Sequence, residues 1–255
     1  MGQSIMEKNK LKHLAIIPDG NTRWAKSNKL PVFEGYRKGM SRVVEISRHS
    51  RKLGIHTLTM WGLSTENWQY RPKAELEFLT KLFMKTIDDY IKDAEQEDVK
   101  IIHLGRKDRL PKKLLDKIKK AEDKTRSNQT HILNIALDYG GHDEILRTIT
   151  KIINDIQSGK LKSENLSNNI DGGGKIKRTI FSNYLDTGDQ PYPFPDFIIR
   201  TSGEMRLSGF FPWQSVYSEL HFEKCFFPDF NSQKLESAIK TFNKRKRRFG
   251  GGHKV

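Results

Sequence analysis

Short apolar runs alternate along this chain with segments in which apolar residues recur every three or four positions. Apolar runs bounded by Pro, Gly or polar turn residues predict buried β-strands. Six such strands are predicted, at His13–Pro18, Ile55–Leu63, Val99–Leu104, His131–Leu137, Phe197–Arg200 and Leu220–Phe222.

Spacings of three and four residues predict amphipathic helices between these strands. The longest begins at Pro72 and carries Leu76, Leu79, Phe83 and Ile87 on one face. The predicted helices are Tyr36–Leu53, Pro72–Glu97, Pro111–Arg126, Asp143–Ile156, Thr179–Leu185 and Ser232–Arg248, and a further one opens over Thr22–Lys26. Strands that alternate with helices predict an α/β fold with a mostly parallel central sheet flanked by helices.

The 255 residues show no break in composition, so we predict a single domain over 1–255. Within it, residues 1–12 form a polar extension, 158–175 a Gly-, Ser- and Asn-rich loop predicted to be mobile, and 243–255 a basic tail. No run approaches the 18 apolar residues of a membrane span, and the first twelve lack a signal-peptide core. The single cysteine, Cys225, suits a reducing compartment. We therefore expect a cytoplasmic protein, soluble or peripheral at the membrane.

Lys and Arg number 46 against 31 Asp and Glu, a net charge of +15. This excess suits a polyanionic partner, an anionic membrane surface or small phosphorylated ligands, and charge alone does not choose among them. Neither a GxGxxG fingerprint nor a Walker loop occurs in the sequence. No nucleic-acid-binding motif accompanies the charge, so no nucleic acid is expected as a partner.

The first predicted strand ends in a candidate phosphate site, within the stretch HLAIIPDGNTRWA from His13. A strand-to-helix turn offers unpaired N–H groups, Gly20 allows close backbone approach, and Arg23 adds a fixed cation. Asp19 stands at the strand tip, where a carboxylate can hold Mg²⁺ against phosphate oxygens. The alternative is an ordinary Asp-Gly-Asn turn.

Two further polar stretches follow predicted strands, LSTENWQYRP from Leu63 and IIRTSGEMRLS from Ile198. Because ligands bind outside the carboxyl ends of parallel strands, these stretches and Asp19 are expected to converge. Two arginine clusters with one or two carboxylates suit the binding of two diphosphates and a metal, and suit covalent acyl chemistry poorly.

Together with WQSVYSEL from Trp213 and RKRRFGG from Arg245, these motifs resemble the cis-prenyltransferases, the undecaprenyl diphosphate synthase family. The resemblance runs from about His13 to Gly251 and keeps the order of the motifs. It implies that isopentenyl diphosphate is condensed onto an allylic prenyl diphosphate, with loss of pyrophosphate and formation of a Z double bond. It also implies Mg²⁺, a homodimer, a hydrophobic tunnel for the chain, and a peripheral membrane contact for product release as a further option.

Roles are carried over by matching motif. The resemblance implies catalytic roles for Asp19, Asn67 and Ser64, and it implies that Asp19 and Glu219 bind the metal. The residues implied to hold the allylic diphosphate are Gly20, Asn21, Thr22, Arg23, Trp24, Tyr36 and Arg71. Those implied to hold isopentenyl diphosphate are Arg200, Arg206, Ser208 and, from a tail that completes the partner subunit's site, Arg247 and Gly250.

The chain departs from the family pattern at several positions. Tyr36 stands where a histidine is usual, and a tyrosine titrates far above neutrality. The other departures are Thr22, Val32, His142 and Gly209. They keep two alternatives open: an enzyme of this fold with short-chain, branching or cyclising prenyl coupling, and an inactive partner subunit or basic nucleic-acid-binding protein.

The tunnel is expected between the apolar faces of the helices Tyr36–Leu53 and Lys73–Glu97, although such stripes also form ordinary core. Gly62, small and just before the STENW turn, would leave room for a long product.

Overall fold

A computed structural model of the protein describes residues 11–166, 169–170 and 178–247. The strands are His13–Ile17 (β1), Thr57–Ser64 (β2), Val99–Leu104 (β3), His131–Tyr139 (β4), Asn169–Ile170 (β5), Arg178–Thr179 (β6), Phe197–Arg200 (β7) and Glu219–Phe222 (β8). Six of them form a parallel central sheet in the order β3-β4-β2-β1-β7-β8, and β5 and β6 form a small antiparallel pair. The predicted α/β class is confirmed.

Helices pack on the faces of the sheet. They are Asn21–Ser27 (α1), Val32–Lys52 (α2), Thr65–Tyr70 (α3), Lys73–Gln96 (α4), Lys112–Lys124 (α5), Gly141–Gln157 (α6), Ile180–Asn183 (α7) and Ser232–Lys244 (α8). Short 3₁₀ helices occur at Ser163–Asn165 and Phe227–Asp229. Within the described ranges, no helix combines the length and apolarity that crossing a bilayer requires.

Local chemistry explains where these elements depart from the predictions. Helix α2 begins at Val32 rather than Tyr36, because Pro31 stands at its N-cap and fixes the backbone for a helix start. The predicted STENW turn was wrong: it is the helix α3, whose first turn is capped by the Ser64 hydroxyl accepting the Asn67 N–H at 3.0 Å. In the predicted loop over 158–175, the 3₁₀ helix and β5 are formed, and residues 167–168 and 171–175 lie outside the described residues.

The central strand β1 is buried along its whole length, as expected for the interior of a parallel sheet. Leu14 and Ile16 face the core beneath α2, α4 and α8, whereas Ala15 and Ile17 face a second core with Phe210 and Phe211. Both faces of the sheet are thus covered at β1, which leaves the carboxyl ends of the strands as the expected place for a site.

Glycines bring α1 against α2 beside the end of β1. A Cβ at Gly35 would stand 2.0 Å from the Asn21 carbonyl oxygen, and one at Gly39 would stand 2.2 Å from the Asn21 Oδ1 atom. Gly20 has φ +95° and caps α1, a conformation that side chains with a Cβ rarely adopt. The motif glycines therefore set the position of Asn21 and of the Asp19 turn.

A buried histidine at the start of β1 makes stability depend on pH. His13 is fully buried; its Nδ1 donates to the Tyr192 carbonyl at 2.8 Å, and its Nε2 accepts from the Thr59 hydroxyl at 2.8 Å. Burial lowers the pKa of His13 to about 4. Between this pKa and the unfolded value near 6.5 the unfolded chain binds the proton more readily, so stability falls as the pH falls through that window.

We expect the free energy of unfolding to drop by about 2 kcal/mol between pH 7.5 and pH 5 from His13 alone, measured by urea unfolding. His56 and His103 also have lowered pKa values, chiefly through burial, and add to the loss. The His13→Gln variant isolates the contribution of His13, because its stability should depend less steeply on pH. An equal pH dependence in wild type and variant would contradict this assignment.

Candidate active site

The carboxyl ends of β1, β2 and β7 meet around a cavity of about 410 Å³. Asp19 follows β1, Ser64 ends β2, and Arg200 ends β7, so the expected convergence of the motifs is observed. The predicted site residues that line this cavity are Asp19, Asn21, Tyr36, Ser64, Asn67, Arg71, Arg200 and Ser208.

Asp19 is held at the cavity wall by its backbone and its carboxylate. Its N–H donates to the Thr201 hydroxyl oxygen at 2.9 Å, and that hydroxyl donates to the Asp19 carbonyl at 2.8 Å. The carboxylate accepts from Arg200 at 2.8 Å through Oδ2 and from Arg23 at 3.1 Å through Oδ1. Burial opposes ionisation of Asp19, but these two arginines outweigh it, and the pKa of Asp19 is lowered. The carboxylate is therefore ionised at neutral pH.

Arg200 is the buried cation of the site, with a side chain that is only 7% exposed. Besides Asp19, it donates to the Arg206 carbonyl at 2.6 Å and the Ser208 hydroxyl at 2.8 Å. Its buried Nε–H finds no acceptor among the described residues. A guanidinium fixed in this way can receive an anion with little reorganisation.

Glu204 connects the two predicted diphosphate sets. Its carboxylate accepts from Arg23 at 2.8 Å and from Arg206 at 2.5 Å. Hydrogen bonds from Arg23 and then Arg206 lower the pKa of Glu204. Arg206 is 61% exposed and does not line the cavity in this structure. The structure thus joins Arg23 and Arg206 into one ion-pair network beside Asp19, and Arg23 itself does not line the cavity.

Tyr36 belongs to a second cluster on the α2 and α4 side of the cavity. Its hydroxyl donates to Glu75 and accepts from Arg71, which also pairs directly with Glu75. Arg71 reaches the Asn67 Oδ1 atom at 3.3 Å. Burial and the hydrogen bond to Glu75 raise the pKa of Tyr36, so the hydroxyl is neutral and orients Arg71 rather than supplying charge.

Other predicted residues have structural contacts. Trp24 donates its indole N–H to Asp229 at 2.9 Å, which ties α1 to the second 3₁₀ helix. Gly20 and Thr22 lie at the start of α1 but do not line the cavity. The Ser64 hydroxyl caps α3 as described, so its catalytic role stays a prediction.

Glu219 and Arg247 lie at the opposite, amino-terminal end of the sheet. Glu219 pairs in register with Phe197, at the start of β7, and accepts from Arg245 at 2.8 Å. Arg247 donates to Asp196 at 2.6 Å. Since Arg200 ends β7, about 10 Å of strand separates these residues from the Asp19 end. A single chain therefore does not bring Glu219 to Asp19 or Arg247 to Arg200, and Gly250 lies outside the described residues.

Four residues that shape the site were not predicted from the sequence. Thr201 holds the Asp19 backbone, the Ser202 hydroxyl accepts from Arg23, Glu204 bridges two arginines, and Glu75 anchors Tyr36. The first three fall within the IIRTSGEMRLS stretch, so their proximity to the arginines in sequence was a usable signal. No comparable signal marks Glu75, which is one of several carboxylates on α4.

An apolar cavity of about 80 Å³ continues inward from the charged one. Met40, Val43, Gly62 and Phe83 line both, so the two spaces adjoin between the sheet, α2 and α4. A bulge in β2 at Gly62 accompanies this junction, and a Cβ at Gly62 would stand 2.8 Å from Leu137. The site therefore combines a charged mouth with an apolar interior.

A family model described as "Putative undecaprenyl diphosphate synthase" matches residues 17–250. The chain belongs to the undecaprenyl diphosphate synthase family. It is 41% identical over 241 residues to an isoprenyl transferase of Streptococcus thermophilus, covering 94% of this chain and 92% of the relative. An isoprenyl transferase of Streptococcus pneumoniae is also 41% identical, with 94% and 91% covered.

Two solved structures of the family share the fold. Lavandulyl diphosphate synthase from Lavandula x intermedia, in complex with dimethylallyl diphosphate, is 34% identical with a TM-score of 0.87, and the match covers 96% of this chain and 99% of that one. A probable undecaprenyl diphosphate synthase from Campylobacter jejuni is 29% identical with a TM-score of 0.72, covering 95% and 99%. The predicted family is confirmed, and with it a prenyltransferase and prenyl-chain elongation as the activity of the family.

Mg²⁺ is the metal that the family resemblance implies, and the carboxylates of the site decide whether it fits. Among the residues that the structure describes, no three or more His, Cys, Asp or Glu side chains are arranged so that they could hold a metal ion. Mg²⁺, however, is commonly held by one or two carboxylates together with substrate phosphates and waters. The ionised Asp19 at the cavity wall fits such a substrate-borne ion, and Glu219 of the same chain does not.

Cys225 is a poor candidate nucleophile. Burial, followed by the charge of Glu223, raises the pKa of its thiol to about 11. The thiolate is therefore scarce at neutral pH.

Proposed function

We propose that this protein elongates an allylic prenyl diphosphate with isopentenyl diphosphate, releasing pyrophosphate and forming a Z double bond. The observation that carries the proposal is the buried Arg200, bound to the ionised Asp19 at the mouth of a cavity whose interior is apolar. A diphosphate head needs fixed cations, and a prenyl chain needs a dry apolar space. The two adjoining cavities supply both within one site.

Each residue has a role that its position supports. Arg200 and Ser208 bind isopentenyl diphosphate, and Asn21, Arg23 and Arg71 bind the allylic diphosphate beside Asp19. Asp19 would hold Mg²⁺, and the bound ion would neutralise charge on the departing pyrophosphate. Asn67, beside Arg71 in the cavity wall, positions the substrate where the proton is lost.

A second candidate function is the altered prenyl coupling, short-chain, branching or cyclising, and dimethylallyl diphosphate, the ligand in the lavandulyl diphosphate synthase structure, is the substrate with which to test it. The TM-score of 0.87 to lavandulyl diphosphate synthase and the tyrosine at position 36 favour it. The two functions differ in the substrates they require.

Incubating the purified protein and Mg²⁺ with each diphosphate alone, and with both together, tests the proposal. Elongation requires isopentenyl diphosphate and an allylic starter together, and gives products that differ by one isoprene unit. Product formed from dimethylallyl diphosphate alone would contradict elongation and favour the altered coupling.

We also propose a homodimer, located in the cytoplasm. Leu146, Ile149 and Ile153 form one exposed apolar stripe on α6, with Leu146 65% exposed, and Val216, two residues after the Gln214 that donates to Glu144 of α6, is 70% exposed. Exposed apolar surface of this kind commonly marks a protein interface. A second copy could also bring the tail of one chain to the diphosphate site of the other, which Arg247 does not reach in its own chain.

Ending the chain after Arg247 tests the dimer, because it removes Gly250 and keeps α8 and the described ion pairs. We expect loss of activity with retained folding, and partial recovery on mixing with an Asp19→Ala chain. One mixed site would then combine a sound Asp19 turn with a sound tail. Light scattering should give twice the 29.6 kDa chain mass. A fully active monomer would rule out this arrangement.

Replacing Tyr36 by histidine should tighten the binding of the allylic diphosphate. A histidine can carry positive charge and pair with Glu75, which frees Arg71 for the diphosphate. The KM for the allylic substrate should fall about fivefold, equivalent to about 1 kcal/mol, with little change for isopentenyl diphosphate.

The Tyr36→Phe variant is the matched control. It removes the hydroxyl that orients Arg71, and should raise the same KM. If neither variant changes KM or product, Tyr36 only packs; if Tyr36→His abolishes activity, the tyrosine takes part in different chemistry.

A further inference from the structure

An open groove of about 1040 Å³ runs along the outer surface between α2 and α4. Met40, Val44 and Thr86 line this groove and also the apolar cavity inside the protein. Leu82 lines the groove and the charged cavity. One layer of side chains therefore separates the interior from the groove, and small movements of those side chains would open the interior sideways.

The groove carries an excess of positive charge. Its basic residues are Arg37, Arg48, His49, Lys52, Lys81 and Lys85, and its acidic residues are Glu45 and Asp89. Lys52, Lys81 and Lys85 are exposed and form no ion pair with any residue in the described part of the chain. Their charges are available to an anionic partner.

Exposed apolar side chains accompany these cations at one end of the groove. Phe78 lines the groove and contacts the exposed ring of Phe33 at a centroid distance of 4.4 Å, and Leu30, just before α2, is also exposed. Basic residues beside exposed apolar ones suit the surface of a bilayer with anionic lipids. Nucleic acid would bind the cations, but it would make no contact that explains the apolar side chains lining the groove.

We propose that the α2–α4 groove docks on an anionic membrane surface, so that the apolar chain of the product leaves sideways between the two helices into the bilayer. This inference rests on the proposed function, which supplies a product with a long apolar chain. The lysines hold the lipid head groups, and the slit lined by Met40, Val44 and Thr86 faces the acyl chains.

Vesicle binding of the full-length protein tests the proposal at about 0.1 M salt. The protein should sediment with phosphatidylcholine vesicles that contain roughly a quarter phosphatidylglycerol, and not with phosphatidylcholine alone. The combined variant Lys52→Glu, Lys81→Glu and Lys85→Glu should lower the partition constant by about 100-fold. Anionic vesicles should also speed turnover in the wild type and not in the variant.

A matched control carries Lys113→Glu, Lys119→Glu and Lys120→Glu on α5, which change the net charge equally outside the groove. This control should bind nearly as the wild type does, and both variants should keep wild-type turnover in detergent. Equal loss of binding in both variants, or no binding by the wild type, would overturn the docking surface. So would duplex DNA that displaces the protein from the vesicles.

The detergent assay separates the two proposals. Turnover in detergent without vesicle binding would leave prenyl transfer standing and remove the docking surface. Vesicle binding with no prenyl transfer from any starter would overturn the function and, with it, the proposed exit of a product.

Discussion

Replacing Asp19 by alanine should lower turnover roughly a hundred- to a thousand-fold while the protein still folds. The side chain is the ionised carboxylate of the cavity, and it aligns Arg23 and Arg200 as well as offering oxygens to Mg²⁺. Without it, two cations lose their partner and a metal–diphosphate complex loses its protein ligand. Turnover measured with saturating substrates and Mg²⁺ gives the size of the effect.

Two further variants show whether the loss of turnover comes from the missing charge of Asp19 or from a disturbed fold. Asp19→Asn keeps the shape and removes the charge, so it should also be severely impaired. Asp143→Ala is the matched control, because Asp143 also accepts from two arginines, Arg106 at 2.9 Å and Arg147 at 2.7 Å, and does not line the cavity. Near-normal turnover in a folded Asp19→Ala protein would remove Asp19 from the mechanism.

Replacing Arg200 should weaken the binding of isopentenyl diphosphate far more than the binding of the allylic substrate. Each charge-assisted hydrogen bond contributes about 1.5 to 3 kcal/mol, so the KM for isopentenyl diphosphate should rise about 10- to 150-fold in Arg200→Ala. Arg200→Lys keeps a charge but loses the planar fork that reaches Asp19 and Ser208 together, and should be intermediate.

Arg23→Ala should instead affect mainly the allylic substrate. Arg23 pairs with Glu204 and with Asp19 in the cavity wall, and its loss should raise the KM for the allylic substrate. Arg206 is more exposed, so Arg206→Ala should have a smaller effect on isopentenyl diphosphate than Arg200→Ala. KM values with the opposite preference would mean that the two diphosphates occupy each other's sites.

The sequence predicted the strands and their polar ends well, because each depends on local pattern. The run before Pro18 and the run before Thr201 are buried strands, and their carboxyl ends meet because parallel strands share an edge. The amino-acid pattern alone was therefore enough to place Asp19 near Arg200. Their direct contact at 2.8 Å agrees with this prediction.

Side-chain pairing could not be predicted, since it depends on register and rotamer. Glu204 is separated from Arg23 by 181 positions, yet they form an ion pair because β1 and β7 are neighbours. The same register places Glu219 at the start of β8, away from Asp19, which no motif spacing indicates. The capping of α3 by Ser64 was likewise hidden, because a polar stretch after a strand resembles a turn.

A crystal structure with isopentenyl diphosphate, Mg²⁺ and an unreactive thio analogue of the allylic diphosphate would show where both substrates bind. We expect one diphosphate on Arg200 and Ser208, the other beside Asp19 and Arg23, and the prenyl chain running past Gly62 into the apolar cavity. Diphosphates bound away from the Asp19–Arg200 pair, or a prenyl chain lying outside the space between α2 and α4, would contradict it.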